Sequence, residues 1–353
     1  MKFFATLGKH PQLSLMELQI INPQNIEHYW YSIVVFDIEE SDNNNESDYT
    51  NTLNNLSWIS KRWKIINLEE IDLEGKTVWT NDDDFGMELK KKYWAKRYKF
   101  VETIKSDLEI KNEWIEILKI KEWIYGQVLG YQNIWFYETV DFGKPSHGMQ
   151  VGMMPTKLAM TMLNIWLHNF WKKKLSDFTI YDPFCGFGTT GFITNYMWYN
   201  FVWSDINISM IKPNKKRRME DPKTQAYRQD KFFTIFKHDA TVQFEWAAKN
   251  ADLIVTEWRL WPVTGLQTHI IEIRKNAQSA LEVYMWFIQN CHQSYKNITI
   301  VMTYPVYRRS DYEDIIWPSL ISRMADNWRK HEMIDLYSRA DHTVARQVIV
   351  CIK

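Results

Sequence analysis

Glycine is scarce in this chain: 12 of 353 residues, about half of the ~7% share that proteins usually carry. Cysteine is scarcer. The three present, Cys185, Cys291 and Cys351, are far apart and show no CxxC spacing. That argues against a disulfide framework or a zinc site and fits a reducing, cytoplasmic compartment. No apolar run approaches the ~20 residues of a membrane span. The opening MKFFATLGKHPQLS has no small-residue cleavage site and reads as a first strand rather than a signal peptide. Charge of one sign is not in excess either: 43 Lys+Arg balance 43 Asp+Glu, which by itself lends no support to a polyanionic partner.

What is present is an uneven division of that charge. Residues 1–150 hold 17 Lys+Arg against 24 Asp+Glu, net −7, and the remainder is +7. Either the C-terminal part meets a polyanion, or acidic segments such as 39–48 merely skew the first half. The length accommodates two domains, each with its own core. In the N-terminal part, FFATLG and YSIVVFDI read as strands around a helix-like LSLMELQII. Residues 39–55, rich in Asn, Asp and Ser, read as a mobile polar loop. Beyond it, YKFVETI reads as mixed α/β, DLEIKNEWIEILKI (107–120) as a helix and NIWFYETV (133–140) as a strand. Nothing there has catalytic spacing, so binding or scaffolding is the expected role.

Residues 142–154, FGKPSHGMQVGMM, look like a junction, and the expected domains are 1–145 and 146–353. From Pro155 onward the pattern alternates: helix (TKLAMTMLNIWLHNF), strand (FTIYD), helix (GFITNYM), strand (FVWSDI). Further strands are expected at FFTIFKHDA, ADLIVTE, NITIVMTY and RQVIVCIK. Alternating helices and apolar strands imply an α/β, doubly wound, mostly parallel sheet, whose ligands sit at the carboxyl ends of the strands.

The richest segment is DPFCGFGTTG, residues 182–191. It reads as a strand ending in an acid, a glycine turn and a helix N-terminus, where backbone N–H groups face a ligand closely approached. An acid ahead of the glycines resembles the S-adenosylmethionine site of a methyltransferase more than a phosphate cradle. Asp182 closes the strand, Pro183 and Phe184 lead into the turn, Gly186 and Gly188 form it, and Thr189 and Thr190 start the helix. Asp205 ends the next strand, placed to accept both ribose hydroxyls of a nucleoside. Asp239, in KHDAT, either accepts from an adenine amine or caps a helix. Its neighbour His238 reads as structural. Glu257, ending IVTE, is either a surface acid or the acceptor that orients an amine for methyl transfer. The basic run at 212–218, with Lys215, Lys216, Arg217 and Arg218, either holds nucleic-acid phosphates or is a solvated face. No metal is implied.

These elements together resemble the amino-methyltransferases of nucleic acids. More narrowly, DFGKP (141–145), GMMPTKLAMTMLN (152–164) and the ending YSRADHTVARQVIVCIK are similar to tRNA guanosine N(2)-methyltransferases with an N-terminal THUMP domain. The resemblance covers residues ~125–353 well and the N-terminal part loosely. It implies a Rossmann-like S-adenosylmethionine-dependent methyltransferase domain with a C-terminal antiparallel strand, preceded by a smaller α/β THUMP-like domain that grips tRNA. It further implies Asp182 and the glycines at the methionine part of the cofactor, Asp205 at its ribose and Asp239 at its adenine. DNA or rRNA are the alternative substrates, and a catalytically inactive binding module is the alternative role. The family usually carries Asp-Pro-Pro-Tyr at the fourth strand end; here Thr256, Glu257, Trp258 and Arg259 stand instead, keeping an acid and an aromatic able to stack.

Tryptophan, normally rare, occurs 18 times. Trp198 follows a helix where a left-handed glycine cap is expected. Trp203 precedes Ser204 and Asp205, where an indole is expected to intrude on the cofactor. Trp58, Trp63, Trp94, Trp258 and Trp261 read as turn positions. This distribution predicts that many of them stand for glycines, read from UGA codons that the source organism translates as glycine.

Overall fold

A computed structural model describes residues 2–8, 11–19, 23–30, 33–38, 56, 59–100, 114–121, 124–144, 153–167, 178–197, 199–214, 233–244, 246–257, 268–307, 328, 330–337 and 344–353. The chain divides into two compact units, Met1–Tyr137 and Glu138–Lys353.

The first unit holds an eight-stranded sheet in the order β2-β3-β1-β4-β8-β7-β5-β6. Its strands are β1 (Lys2–Leu7), β2 (Gln24–Trp30), β3 (Ile33–Asp37), β4 (Ile59–Ile66), β5 (Thr77–Thr80), β6 (Arg97–Phe100), β7 (Trp114–Lys121) and β8 (Ile124–Tyr131). Pairing is antiparallel except at β5, which runs parallel to β6 and β7. Two helices, α1 (Pro11–Leu18) and α2 (Asp83–Lys92), belong to this unit. A third, α3 (Ile134–Phe142), runs across the division of the chain.

Three sequence expectations are overturned here. The stretch expected as a helix at 107–120 contributes strand β7. Ile117 is buried in one core cluster and Leu118 in another. A strand buried on both faces has a continuous apolar run, which periodicity cannot distinguish from a helix. The stretch expected as a strand at 133–140 is instead α3. Its aromatic residues suggested a strand, but the Asn133 side chain accepts from the Phe136 N–H at 3.0 Å and starts a helix. Trp63, expected at a turn, lies within β4, 6% exposed against Phe4. The 39–55 loop lies outside the described residues.

The second unit is a Rossmann-like sheet of seven strands in the order β11-β10-β9-β12-β13-β15-β14. These are β9 (Thr179–Asp182), β10 (Asn200–Asp205), β11 (Phe233–Lys237), β12 (Leu253–Glu257), β13 (Thr299–Tyr307), β14 (Lys330–Tyr337) and β15 (Val344–Ile352). β9 to β13 are mutually parallel. β15 runs antiparallel between β13 and β14, as the ending of the sequence led one to expect. Among the described residues, its helices include α4 (Thr156–Leu167), α5 (Thr189–Tyr196), the short α6 (Trp246–Lys249) and α7 (Ile270–Ser294). Ile273, Ala277, Tyr284 and Phe287 of α7 share a buried cluster with Tyr181, Val202, Ile254 and Ile300, which alternate to that side of the sheet. Each of the large aliphatic and phenylalanine side chains buried there contributes roughly 1.5–3 kcal/mol. On the other side lie α4 and α5, the latter against Trp203. Strand order reverses between β9 and β12, and that switch point opens a crevice at the strands' carboxyl ends.

Candidate functional site

A cavity of about 430 Å³ occupies the crevice. It is lined by the ends of β9, β10 and β12, the segment after β11, and Met153 and Met154 ahead of α4. Asp182, Phe184, Gly186, Thr189, Asp205, Asp239 and Glu257 all face it. The structure thus brings these seven expected residues together. Pro183 is buried in the turn beside them, outside the cavity lining.

The turn from β9 into α5 needs glycine. Gly186 and Gly188 have φ of +47° and +83°, in the left-handed region. A Cβ on Gly188 would also lie 2.0 Å from Ile211 Cδ1. The turn is closed by Gly188 N–H donating to Cys185 O at 2.6 Å. It is tied to the neighbouring strand by Gly186 N–H donating to Asp205 Oδ2 at 2.9 Å. Asp205 Oδ1 accepts from Asn207 N–H at 2.8 Å. Its carboxylate is therefore held from both sides while keeping lone pairs for a ligand.

Asp182 is 3% exposed. Its Oδ1 accepts from Thr256 Oγ1 at 2.6 Å and from the Phe184 N–H at 3.1 Å. Burial pushes its carboxyl up to about 7, against the pull of those bonds. A buried acid at neutrality favours a cationic or donating ligand group. Asp239 is exposed and caps its own turn, accepting from Thr241 N–H at 2.9 Å and Thr241 Oγ1 at 2.7 Å. Those hydrogen bonds hold its carboxyl below the usual range. Asp239 thus closes a turn rather than capping a helix, and its carboxylate stays on the cavity wall.

Glu257 is 8% exposed at the end of β12 and forms a buried ion pair with Arg346 of β15. Burial pushes the carboxyl up and the guanidinium opposes it. Arg346 also reaches Met153 O at 3.4 Å. Sequence reasoning missed Arg346 because it lies 89 residues away, on a strand whose place between β13 and β14 exists only in the folded sheet. It also missed Thr256, read only as a neighbour of Glu257, and Lys144, which donates to Thr189 Oγ1 at 2.7 Å. His238, read as structural, lines the cavity at 8% exposure. Its Nε2 is buried and makes no hydrogen bond among the described residues.

Trp203 does not intrude. It is 1% exposed and packs with Cys185, Phe201 and Ile211. The pleat of β10 turns it toward α5, where the absence of a Cβ on Gly191 leaves room for the indole. Trp94 behaves as a glycine position: it follows α2 with φ +58° and is 75% exposed. Trp258, Lys215, Lys216, Arg217 and Arg218 lie outside the described residues, as do Trp58, Trp198 and Trp261. Among the described residues no cluster of metal ligands occurs, and no helix is long and apolar enough to cross a membrane.

The residues present fit a nucleoside bearing an amino acid. Left-handed glycines let the backbone approach, and acids end three adjacent strand segments around the same space. No protein-family model and no curated protein matches the chain. Solved structures do. A truncated METTL16 methyltransferase domain is 10% identical over 62% of this chain and 94% of its own, with a TM-score of 0.40. An S-adenosylmethionine-dependent methyltransferase from Methanosarcina mazei is 13% identical over 53% and 96%, at 0.35. A magnesium protoporphyrin IX methyltransferase from Synechocystis, solved with bound S-adenosylmethionine, is 11% identical over 56% and 78%, at 0.35. At such identities and scores, the neighbours' substrates and chemistry do not transfer to this chain.

Proposed function

We propose that this protein is an S-adenosylmethionine-dependent methyltransferase acting on the exocyclic amine of a guanine in tRNA. The observation that carries the reading is the convergence of Asp182, Asp205, Asp239 and a left-handed glycine turn on one cavity, with Glu257 on its wall. The cofactor, when bound, supplies an electrophilic methyl group. Asp182 accepts from the ammonium of its methionine part, Asp205 from the ribose hydroxyls, and Asp239 from the adenine amine. Glu257 accepts from the target amine and turns its lone pair toward the methyl group, so that positioning lowers the barrier. The base is flipped out of its stack to reach that depth. Trp258 stacks on it, and Lys215, Lys216, Arg217 and Arg218 hold phosphates. In this reading the N-terminal unit is a THUMP-like RNA-binding domain and the protein works in the cytoplasm.

One observation favours a second reading, a binding module without transfer: the Glu257 carboxylate already pairs with Arg346. Protein expressed from a codon-corrected gene, given labelled cofactor with bulk tRNA, rRNA or DNA, distinguishes the two. Label in tRNA, recovered as N(2)-methylguanosine, is the expected result. Label in DNA alone refutes the proposal. Cofactor binding with no transfer to any polymer favours the second reading.

A further inference from the structure

A lysine ammonium has three N–H donors and no acceptor, whereas a hydroxyl can both donate and accept. Lys144, just beyond α3, is buried at 4% exposure. Its Nζ sits 2.7 Å from Thr189 Oγ1 and 5.9 Å from the centre of the Phe192 ring. In that bond the ammonium donates and the Thr189 oxygen accepts. The Thr189 O–H must then turn elsewhere, and among the described residues Thr189 Oγ1 makes no other hydrogen bond. Thr189 is the first residue of α5 and lines the cavity, where the first-turn N–H groups of the helix also lack internal partners.

Resting on the cofactor reading above, we propose that Lys144 is a positioning residue. By donating to Thr189, it turns the Thr189 hydroxyl proton into the cavity, as a donor for the carboxylate of the cofactor's methionine part. Asp182 and Thr189 thereby divide a zwitterion between them: Asp182 accepts from the ammonium and Thr189 donates to the carboxylate.

The arrangement is sensitive to protonation. Burial brings the Lys144 ammonium down to about 7, with Asp141 opposing. Asp141, on α3, is a charged group acting on Lys144, and it is held by the Thr156 N–H at 2.9 Å and Thr156 Oγ1 at 2.5 Å. From α5, Lys144 meets Thr189 and Phe192, neither of which titrates in this range. On the cavity side Asp182 titrates near the same pH, in the opposite sense. A neutral Lys144 has a lone pair, so the bond reverses: the Thr189 O–H donates to Nζ and the cavity loses a donor.

The test compares two ligands by calorimetry: S-adenosylmethionine and its decarboxylated form, which keeps the ammonium and lacks the carboxylate. Both report Asp182; the ratio of their affinities isolates the carboxylate. The wild-type preference for the carboxylated ligand should fall as pH rises through about 7. Lys144→Met leaves the Thr189 hydroxyl in place but free to turn, so it should lower that preference by less than Thr189→Val does and should remove the wild-type fall with pH. Thr189→Val should lose the preference by roughly ten- to hundredfold, the value of a hydrogen bond to a charged group, Thr189→Ser should retain it, and the double variant should lose no more than Thr189→Val alone. Equal weakening of both ligands by Lys144→Met, or a preference indifferent to pH, would overturn the inference while leaving cofactor binding intact. Failure of the wild-type protein to bind either ligand removes the cofactor reading itself, and the inference with it.

Discussion

Replacing Asp182 by asparagine should stabilise the C-terminal unit while weakening its ligand. The Asp182 carboxyl is 3% exposed, and burial raises it from the ordinary 3.8 to about 7. That difference corresponds to about 4 kcal/mol favouring the protonated form, at ~1.4 kcal/mol per pH unit. The sign follows from proton counting. Between pH 3.8 and about 7 the folded protein keeps a proton that the unfolded chain has released. Stability therefore falls as pH rises through that window, and the full cost is carried above about 7. Asparagine has no charge to bury, and its amide oxygen can still accept from Thr256 and from the Phe184 N–H. Thermal unfolding at pH 8 should find Asp182→Asn more stable by up to about 4 kcal/mol, with the gain vanishing near pH 4. A cationic ligand group prefers the ionised acid. Wild-type affinity for decarboxylated S-adenosylmethionine should therefore rise about tenfold per pH unit up to about 7 and then level off. In the variant that slope should disappear. A gain in stability independent of pH, or a ligand affinity with the same pH slope in both proteins, would refute the reasoning.

Arg346→Met leaves Glu257 as a buried carboxylate without its cation, and urea unfolding should register a loss of about 3–5 kcal/mol. Adding Glu257→Gln to that variant should recover most of the loss, because what destabilises is the uncompensated charge rather than the missing contact. Trp94 occupies the left-handed position after α2, so Trp94→Gly should raise stability by about 1–2 kcal/mol in the same assay. The glycine reading of the tryptophans is checked in the gene itself: UGA is expected at Trp94, Trp198, Trp258 and Trp261, and UGG at all of them would refute it.

Much of the C-terminal unit was legible because its signals are local. Strand runs such as Leu253–Glu257 are continuously apolar and end in an acid, and the 182–191 segment names its own turn through Gly186 and Gly188. The N-terminal unit was harder to read. In β7 the spacing of Ile115, Ile117 and Leu118 suits a helix as well as a strand packed on two faces. In α3 the aromatic run at 135–137 spoke for a strand, while a single side-chain bond at Asn133 decided for a helix. Trp203 was misjudged because sequence tells that a side chain is large, not to which side of a pleat it turns. Here it turned toward Gly191, away from the cavity.

In the C-terminal unit the sequence by itself determined the alternation of strands and helices up to β13, the glycine turn, and the acids that end β9, β10 and β12. Each of these depends on neighbours a few residues away, through backbone sterics and the alternation of buried side chains. Only the tertiary structure decided what those acids would meet. Sheet closure by an antiparallel β15 sets Arg346 against Glu257, 89 residues distant. The segment ahead of α4 sets Lys144 behind Thr189, 45 residues distant. Burial then moves Asp182 and Lys144 toward neutrality from opposite directions. Charge and desolvation act through space rather than along the chain, so the identities of the site residues were readable while their protonation was not.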